Sequence, residues 1–182
     1  MRQVWILALL GIIACSFNGC TDGRQARIAA VQAQAEAFFQ TYAERADWEQ
    51  FCSFYRQDMQ FEDVALQLKL DSLWQFQRFY NWPDPNFEKL SPEQKHLIIE
   101  DMVVDENKVV AKGYFQPFYW YNQPVKPIWG MQATFWLYFD EDLKIEKQID
   151  WIEYDPSVLE SVIARVREKG VQKVPDWLDL SR

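Results

Sequence analysis

The chain has 182 residues, a formal net charge of −8 and an isoelectric point near 4.7. This length suits one domain with a full hydrophobic core and is short for two. The composition, 49% hydrophobic and 25% charged, is that of a folded protein rather than a disordered one. The acidic balance and the lack of a clustered basic segment argue against nucleic-acid binding and against electrostatic adhesion to anionic lipid.

The N-terminus begins with Arg2 and an apolar run, VWILALLGIIACSF, which has the length of the hydrophobic part of a signal peptide. Two cysteines near its end each follow a small residue, Cys15 in IIAC and Cys20 in FNGC. Both resemble the lipobox of bacterial lipoproteins, in which the cysteine is lipidated and becomes the mature N-terminus. We predict a signal peptide over residues 1–19 and lipidation at Cys20; Cys15 or an ordinary secretory signal are the alternatives.

This resemblance implies that the protein resides in a bacterial cell envelope and contacts the membrane through its N-terminal lipid only. Because no Asp directly follows either candidate cysteine, the resemblance favours the outer membrane, facing the periplasm. Cleavage before Cys20 would leave Cys52 as the only thiol, whereas cleavage before Cys15 would leave Cys20 and Cys52 able to pair.

We predict no metal site and no cofactor, because the single imidazole, His96, and the scattered cysteines do not supply ligands at useful spacing. At the start of a strand, His96 is expected at the surface.

The first half of the chain predicts three helices. The first spans about residues 25–45 and carries an apolar stripe at three- and four-residue spacing. A second begins after Asp47, an N-cap residue, and a third begins after Asp71 and ends before Pro83. The stripe of the first helix consists of Ile28, Val31, Ala35, Phe38 and Tyr42.

Between the second and third helices, the segment MQFEDVA reads as a strand. Its alternation places Asp63 on the same face as Met59 and Phe61, so that a carboxylate lies in an apolar row. We consider three explanations: Asp63 is a catalytic base, it is a buried polar group held by hydrogen bonds for structural reasons, or its place in the apolar row is an accident of register.

The second half predicts four consecutive antiparallel strands, HLIIEDMVV, KVVAKGYFQPFYWY, QATFWLYF and LKIEKQIDWIEY, joined by turn-forming residues. Pro117 inside the second strand indicates a bulge or an edge, because proline cannot donate to a ladder. A last helix is predicted from Pro156, with Asp155 as its cap, to Gly170. This order of helices and antiparallel strands predicts an α+β fold.

The order of these elements, with Asp47 at the second helix, FEDVA on the first strand and LYFDEDLKIEKQIDWIEYD at the end of the sheet, resembles the SnoaL-like branch of the nuclear transport factor 2-like (NTF2-like) superfamily. The resemblance covers about residues 25–167. It implies a cone: a curved, mostly antiparallel sheet packed against three N-terminal helices around a pocket, with a C-terminal helix added. We therefore expect one domain over residues 20–182 and a homodimer through the outer face of the sheet.

The resemblance aligns Asp63 with the general base of ketosteroid isomerase. The tyrosine and aspartate that form the oxyanion hole of that enzyme fall on Phe39 and Phe135, and a phenyl ring cannot donate a hydrogen bond to an enolate. Ketosteroid isomerase chemistry is therefore not expected. Asp150, on the last strand, is a second candidate for the pocket, although alternation alone does not fix its direction. The pocket residues that we expect are Phe39, Phe61, Trp74, Tyr80, Phe135 and Trp151.

Two functions remain. In the first, an exported SnoaL-like domain binds a small hydrophobic ligand or a protein partner without chemistry, as the missing oxyanion residues favour. In the second, the protein is an acid/base enzyme, such as an isomerase, cyclase, dehydratase or lyase, with Asp63 as general base. The aromatic side chains fit a ligand pocket and equally a core with a dimer interface.

Overall fold

The computed structural model describes residues 4–126, 130–156 and 158–159, with side chains from Gly23 onward. The side chains of the predicted signal peptide, with both candidate lipidation cysteines, lie outside the described residues, as does the predicted last helix beyond Leu159. Within the described residues, no helix is both long enough and apolar enough to cross a membrane. The helices are α1 Val4–Glu44, α2 Trp48–Ser53 and α3 Leu73–Tyr80.

Nine strands are described, of which four are only three residues long. They are β1 Tyr55–Asp63, β2 Leu68–Leu70, β3 Phe87–Lys89, β4 Leu97–Asp105, β5 Lys108–Phe115, β6 Phe118–Trp120, β7 Gln123–Val125, β8 Met131–Phe139 and β9 Ile145–Ile152.

Six strands form the main sheet, in the order β2-β1-β9-β8-β5-β4, and β3-β6-β7 form a small second sheet. Strands β4, β5, β8 and β9 pair antiparallel in succession, which confirms the four predicted strands. The second of these is split, because Pro117 lies between β5 and β6 and the two halves join different sheets. The last strand, β9, also pairs in parallel with β1, so the first and the last strand along the chain are neighbours inside the main sheet.

Successive side chains along the strands of the main sheet lie alternately on its inner and its outer face. Along β8, Phe135 and Leu137 are fully buried, whereas the intervening Trp136 is 40% exposed. The register shifts on β1, β4 and β8 mark bulges, the irregularities that bend a strand. At the bulge of β4, Gly113 on the neighbouring strand is needed for close approach, because a Cβ there would lie 2.1 Å from the Ile98 carbonyl oxygen.

The helices cover the inner face. The predicted stripe of α1 is confirmed from Val31 to Tyr42, since its apolar members there are buried against the core, and α1 contacts β4 and β5. Asp47 is the N-cap of α2, as predicted, and accepts a hydrogen bond from the Gln50 amide at 2.8 Å. The cap of α3 is Ser72 rather than Asp71; its hydroxyl accepts from the Gln75 amide, so the prediction was wrong by one residue.

The result is the predicted α+β architecture, a curved, mostly antiparallel sheet whose inner face is covered by the N-terminal helices. The first turn of the predicted last helix is also present: Pro156 is helical, and the Leu159 amide donates to the Asp155 carbonyl at 3.0 Å.

Candidate functional site

Asp63 and Asp150 lie side by side in the interior. They are register partners on the parallel strands β1 and β9, and neither is exposed to solvent. The predicted inward row of Met59, Phe61 and Asp63 is confirmed, since all three are buried. The register with β1 also fixes the direction of Asp150, which the alternation of the sequence had left open.

Asp150 is held by side-chain donors. The Tyr80 hydroxyl donates to its Oδ2 at 2.5 Å, and Gln148 Nε2 donates to its Oδ1 at 2.8 Å. Gln148 is itself fully buried and accepts a hydrogen bond from the Tyr55 hydroxyl at 2.7 Å. Asp150 therefore ends a connected network of two tyrosines and an amide.

Asp63 has different partners. The Leu66 amide donates to its Oδ1 at 2.9 Å, and the Tyr154 hydroxyl donates to its Oδ2. Tyr154 follows Ile152 by two residues, which is why it returns to the same face of the sheet as Asp150. The backbone donor comes from the turn between β1 and β2, so the local chain path supports the charged form of this carboxyl.

The two environments shift the pKa values of the two carboxyls by different combinations of burial and hydrogen bonding. Burial raises the pKa of Asp150 to about 8, against the opposing hydrogen bonds of Tyr80 and Gln148 and with a further contribution from the charge of Asp63. Burial also raises the pKa of Asp63, but the Tyr154 hydroxyl and the backbone amides of the following turn act in the opposite direction. At neutral pH, Asp150 is therefore protonated, and Asp63 is the carboxyl better supported as an anion.

Several tyrosine hydroxyls lie around the pair. The pKa of Tyr80 and that of Tyr154 are raised well above the ordinary value, because both hydroxyls are desolvated and lie beside carboxyls. They stay protonated at neutral pH and serve as donors. Both tyrosines are half-buried by solvent accessibility, whereas the two acids are fully buried.

Four of the six predicted pocket residues lie in the same interior. Tyr80 stacks edge-on against Phe61 with ring centroids 5.6 Å apart, and Phe39 lies 5.7 Å from Phe135. The positions that correspond to the oxyanion hole of ketosteroid isomerase thus form an aromatic contact. Trp74 is half-buried on α3, where its ring lies 5.8 Å from the Arg78 guanidinium.

The prediction that Trp151 lines the pocket was wrong. It alternates with Asp150 and Ile152 on β9, so its side chain lies on the outer face of the sheet, where it is 58% exposed. Sequence reasoning also missed the donors of the site, Gln148 and Tyr55. The available signal for Gln148 was its spacing of two residues from Asp150, which places both on one face of a strand.

Comparisons with known proteins show the fold. No protein-family profile matches the chain, and no curated protein matches it. Among solved structures, a SnoaL-like polyketide cyclase candidate from Shewanella denitrificans OS-217 has a TM-score of 0.56 and 15% identity, covering 74% of this chain and 97% of its own. An LEH-like epoxide hydrolase of M. tuberculosis has a TM-score of 0.54 and 13% identity, covering 78% of this chain and 98% of its own.

An NTF2-like protein from Anabaena variabilis ATCC 29413 has a TM-score of 0.51 and 15% identity, covering 71% of this chain and 91% of its own. At these identities the likeness concerns backbone architecture, and the chemistry must be argued from the side chains. The chain has the SnoaL-like, NTF2-like fold that its sequence resembles.

Proposed function

We propose that this protein is an acid/base enzyme that removes a proton next to the carbonyl of a small, mostly apolar molecule. Asp63 is the base that takes the proton from carbon, and protonated Asp150 is the acid that donates to the carbonyl oxygen. The observation that carries this proposal is the adjacency of the two buried carboxyls on β1 and β9. Enolisation of this kind underlies isomerase, cyclase, dehydratase and lyase reactions.

The cost of this arrangement supports a functional role. Taking two carboxyls out of water side by side is unfavourable, and apolar residues of similar volume would fill a purely structural core at lower free energy. Carboxyls whose pKa values are moved by burial and by each other concentrate at functional sites. Solved structures of the same fold include a protein described as an epoxide hydrolase, so the fold is compatible with catalysis.

A second candidate function is ligand binding without chemistry. It is favoured by Phe39 and Phe135, which place an aromatic contact where an oxyanion donor stands in ketosteroid isomerase. In that case the aromatic interior holds an apolar molecule and the acid pair only orients it.

The test uses 2-tetralone, an apolar aromatic ketone, in D₂O, with exchange of its α-protons followed by NMR. We expect exchange above the buffer rate, and a loss of at least about 100-fold in Asp63→Asn, the scale of one acid/base group. Asp150→Asn replaces the carboxylic acid by an amide, which can donate a hydrogen bond but cannot transfer a proton, and is expected to slow exchange as well. Asp58→Asn is the matched control, because Asp58 is on the same strand but exposed.

The two candidate functions give different results in this experiment. Saturable binding of 2-tetralone with exchange only at the buffer rate would support the binding module. Accelerated exchange that survives in Asp63→Asn would place the base elsewhere and contradict our assignment.

We also propose that the protein is exported and anchored through lipid on Cys20. The support is the sequence: an apolar segment of signal-peptide length that ends in a small residue and a cysteine. In the chain cleaved before Cys20, the remaining thiol is Cys52, which is buried in the described structure. Burial raises the pKa of that thiol, so it is a weak nucleophile.

A further inference from the structure

Three buried side-chain polar atoms in the described part of the chain have no hydrogen-bond partner. They are Arg45 Nε, Trp82 Nε1 and His96 Nδ1. Buried polar atoms in folded proteins are nearly always paired, and each exception calls for an explanation. These three exceptions lie in one neighbourhood, where an acceptor from outside the chain would pair at least the two atoms that can only donate.

The three residues are connected through shared neighbours: Arg45 and His96 both contact the ring of Phe87, and Arg45 also contacts Trp82. The Arg45 guanidinium carbon lies 3.8 Å from the centroid of Phe87 and 5.2 Å from the ring of Trp82. The imidazole of His96 lies 4.8 Å from the ring of Phe87. Tyr42 contacts both Trp82, at 5.6 Å, and His96, at 6.5 Å, and so bridges the group on its other side.

The backbone holds this group in place. Arg45 directly follows α1 with a φ of 49°, in the left-handed region, and its amide donates to the Thr41 carbonyl at 3.0 Å. The amide of His96 donates to the Ala43 carbonyl at 2.6 Å, which ties the start of β4 to the end of α1. His96 is buried, which corrects the expectation of a surface imidazole.

The charge of Arg45 has no counterion within salt-bridge distance among the described residues. The negative charge of Asp84 raises the pKa of Arg45 from beyond salt-bridge distance. The carboxylate of Asp84 itself accepts hydrogen bonds from the backbone amide and the side-chain amide of Asn86. Burial lowers the pKa of Arg45 to about 10, so the guanidinium remains protonated at neutral pH. The Lys89 ammonium is bound to the carbonyls of Glu44 and Pro92.

We propose that Arg45, Trp82 and His96 form a binding site for the carboxylate group of a small apolar acid. Arginine Nε and the indole nitrogen only donate hydrogen bonds, so the occupant must accept them. The planar guanidinium matches a carboxylate in a two-point contact, and one uncompensated cation balances one negative charge. A phosphate dianion would bring a second negative charge, for which Arg45 leaves no further cation to balance it, close to an interior that already holds the carboxyl of Asp63.

The rings around the site favour an apolar body for this acid. His96 contacts Phe115 and Phe118 at 4.9 and 5.4 Å, and Phe87 contacts Phe118 at 5.4 Å. This site stands independently of the chemistry proposed for Asp63 and Asp150, because it is built on a different group of residues at the end of α1.

The test is a titration of the full-length protein, ¹⁵N-labelled at tryptophan, with sodium benzoate. The indole N–H signal of Trp82, assigned by its loss in Trp82→Phe, is expected to move downfield and saturate. Benzamide, the neutral analogue of the same shape, is expected to leave it in place. Arg45→Met should weaken benzoate binding at least about tenfold, the scale of a hydrogen bond to a charged group; Arg78→Met is the control, because Arg78 also stacks on a tryptophan but is exposed.

Three results would overturn the proposal: no saturable shift with benzoate, an equal shift with benzamide, or full binding in Arg45→Met. Tight binding of inorganic phosphate in place of benzoate would also overturn the carboxylate assignment. If Arg45→Met fails to fold, calorimetry on Trp82→Phe decides, since this variant keeps the ring and loses the donor. Unchanged benzoate affinity in that variant would count against the site.

Discussion

Asp150 is neutral at neutral pH because burial opposes its ionisation more strongly than Tyr80 and Gln148 support it. This has a consequence for stability. The folded state keeps the proton up to about pH 8, whereas the unfolded chain loses it near the ordinary pKa of 3.8. The stabilising contribution is therefore complete at low pH and is lost as the pH rises through the folded pKa, at up to about 1.4 kcal/mol per pH unit.

The titration of His96 changes the free energy of unfolding in the opposite direction. Its pKa is lowered well below the ordinary value by burial and by the positive charges of Arg45 and Lys89. Its folded form is neutral, so it destabilises the protein only where the unfolded imidazole is protonated, below about pH 6.5. Between pH 6.5 and 8 the contribution of His96 fades, while both buried acids lower the stability as the pH rises; the variant Asp150→Asn separates the share of Asp150 from that of Asp63.

In this window we expect the free energy of unfolding, measured by urea denaturation, to fall as the pH rises. Asp150→Asn keeps the shape and removes the titration, so its curve is expected to be flatter and to lie above that of the wild type at pH 8. Asp58→Asn should keep the wild-type slope, because Asp58 is exposed on the same strand. A slope that is unchanged in Asp150→Asn would show that the carboxyl is not held neutral by burial.

At the level of single elements, the contact between β4 and β5 depends on Gly113. A Cβ at this position would lie 2.1 Å from the Ile98 carbonyl oxygen and 3.1 Å from the Cα of Ile99, and these backbone atoms cannot move without breaking the ladder. We expect Gly113→Ala to destabilise the protein by about 2–3 kcal/mol, as overpacking does.

The control for this substitution is Gly23→Ala. Gly23 lies on α1 with nothing within 4 Å of the added methyl group, so the change should be neutral or stabilising, as for an exposed helix position. Both variants are compared by urea denaturation. Equal stability of the two would contradict the close approach of β4 and β5.

The elements differ in how far local sequence determined them. The stripe of α1 and the cap of α2 were predicted because their signals are local and periodic. The cap of α3 was misassigned because Asp71 and Ser72 are adjacent N-cap residues and only the backbone path decides between them. The short strands β2, β3 and β7 were missed because three residues carry too little pattern, whereas β6 was predicted as the continuation of β5 and was separated from it only by Pro117.

In the acid site, too, the features set by local sequence were predicted and those set by long-range pairing were not. Asp63 was found from alternation within one strand, a local signal. The direction of Asp150 and its network with Gln148 and Tyr55 depend on the parallel pairing of β9 with β1, which joins residues far apart in the chain. The buried polar group at Arg45 depends on long-range packing in the same way, since α1, Phe87 and His96 meet only in the folded chain.

At the scale of the whole molecule, the outer face of the sheet carries exposed aromatic side chains. Trp136 on β8 is 40% exposed and Trp151 on β9 is 58% exposed. Their strands are neighbours, with Trp136 opposite Ile149 and Trp151 opposite Thr134, so the two indoles lie on one continuous surface. Exposed tryptophan is typical of interface cores, and we propose that this surface pairs with a second copy of the chain.

This proposal is tested by sedimentation velocity over a range of protein concentrations. The wild type should dimerise, and Trp136→Lys combined with Trp151→Lys should weaken the dimer, because loss of each interface tryptophan costs about 2 kcal/mol, or about 30-fold in Kd. Leu90→Lys is the control, since Leu90 is 40% exposed but lies outside the main sheet. A wild type that is monomeric at every concentration, or a double variant that dimerises equally well, would remove the outer face as the interface. The tryptophans would then have to be explained by contact with a different protein.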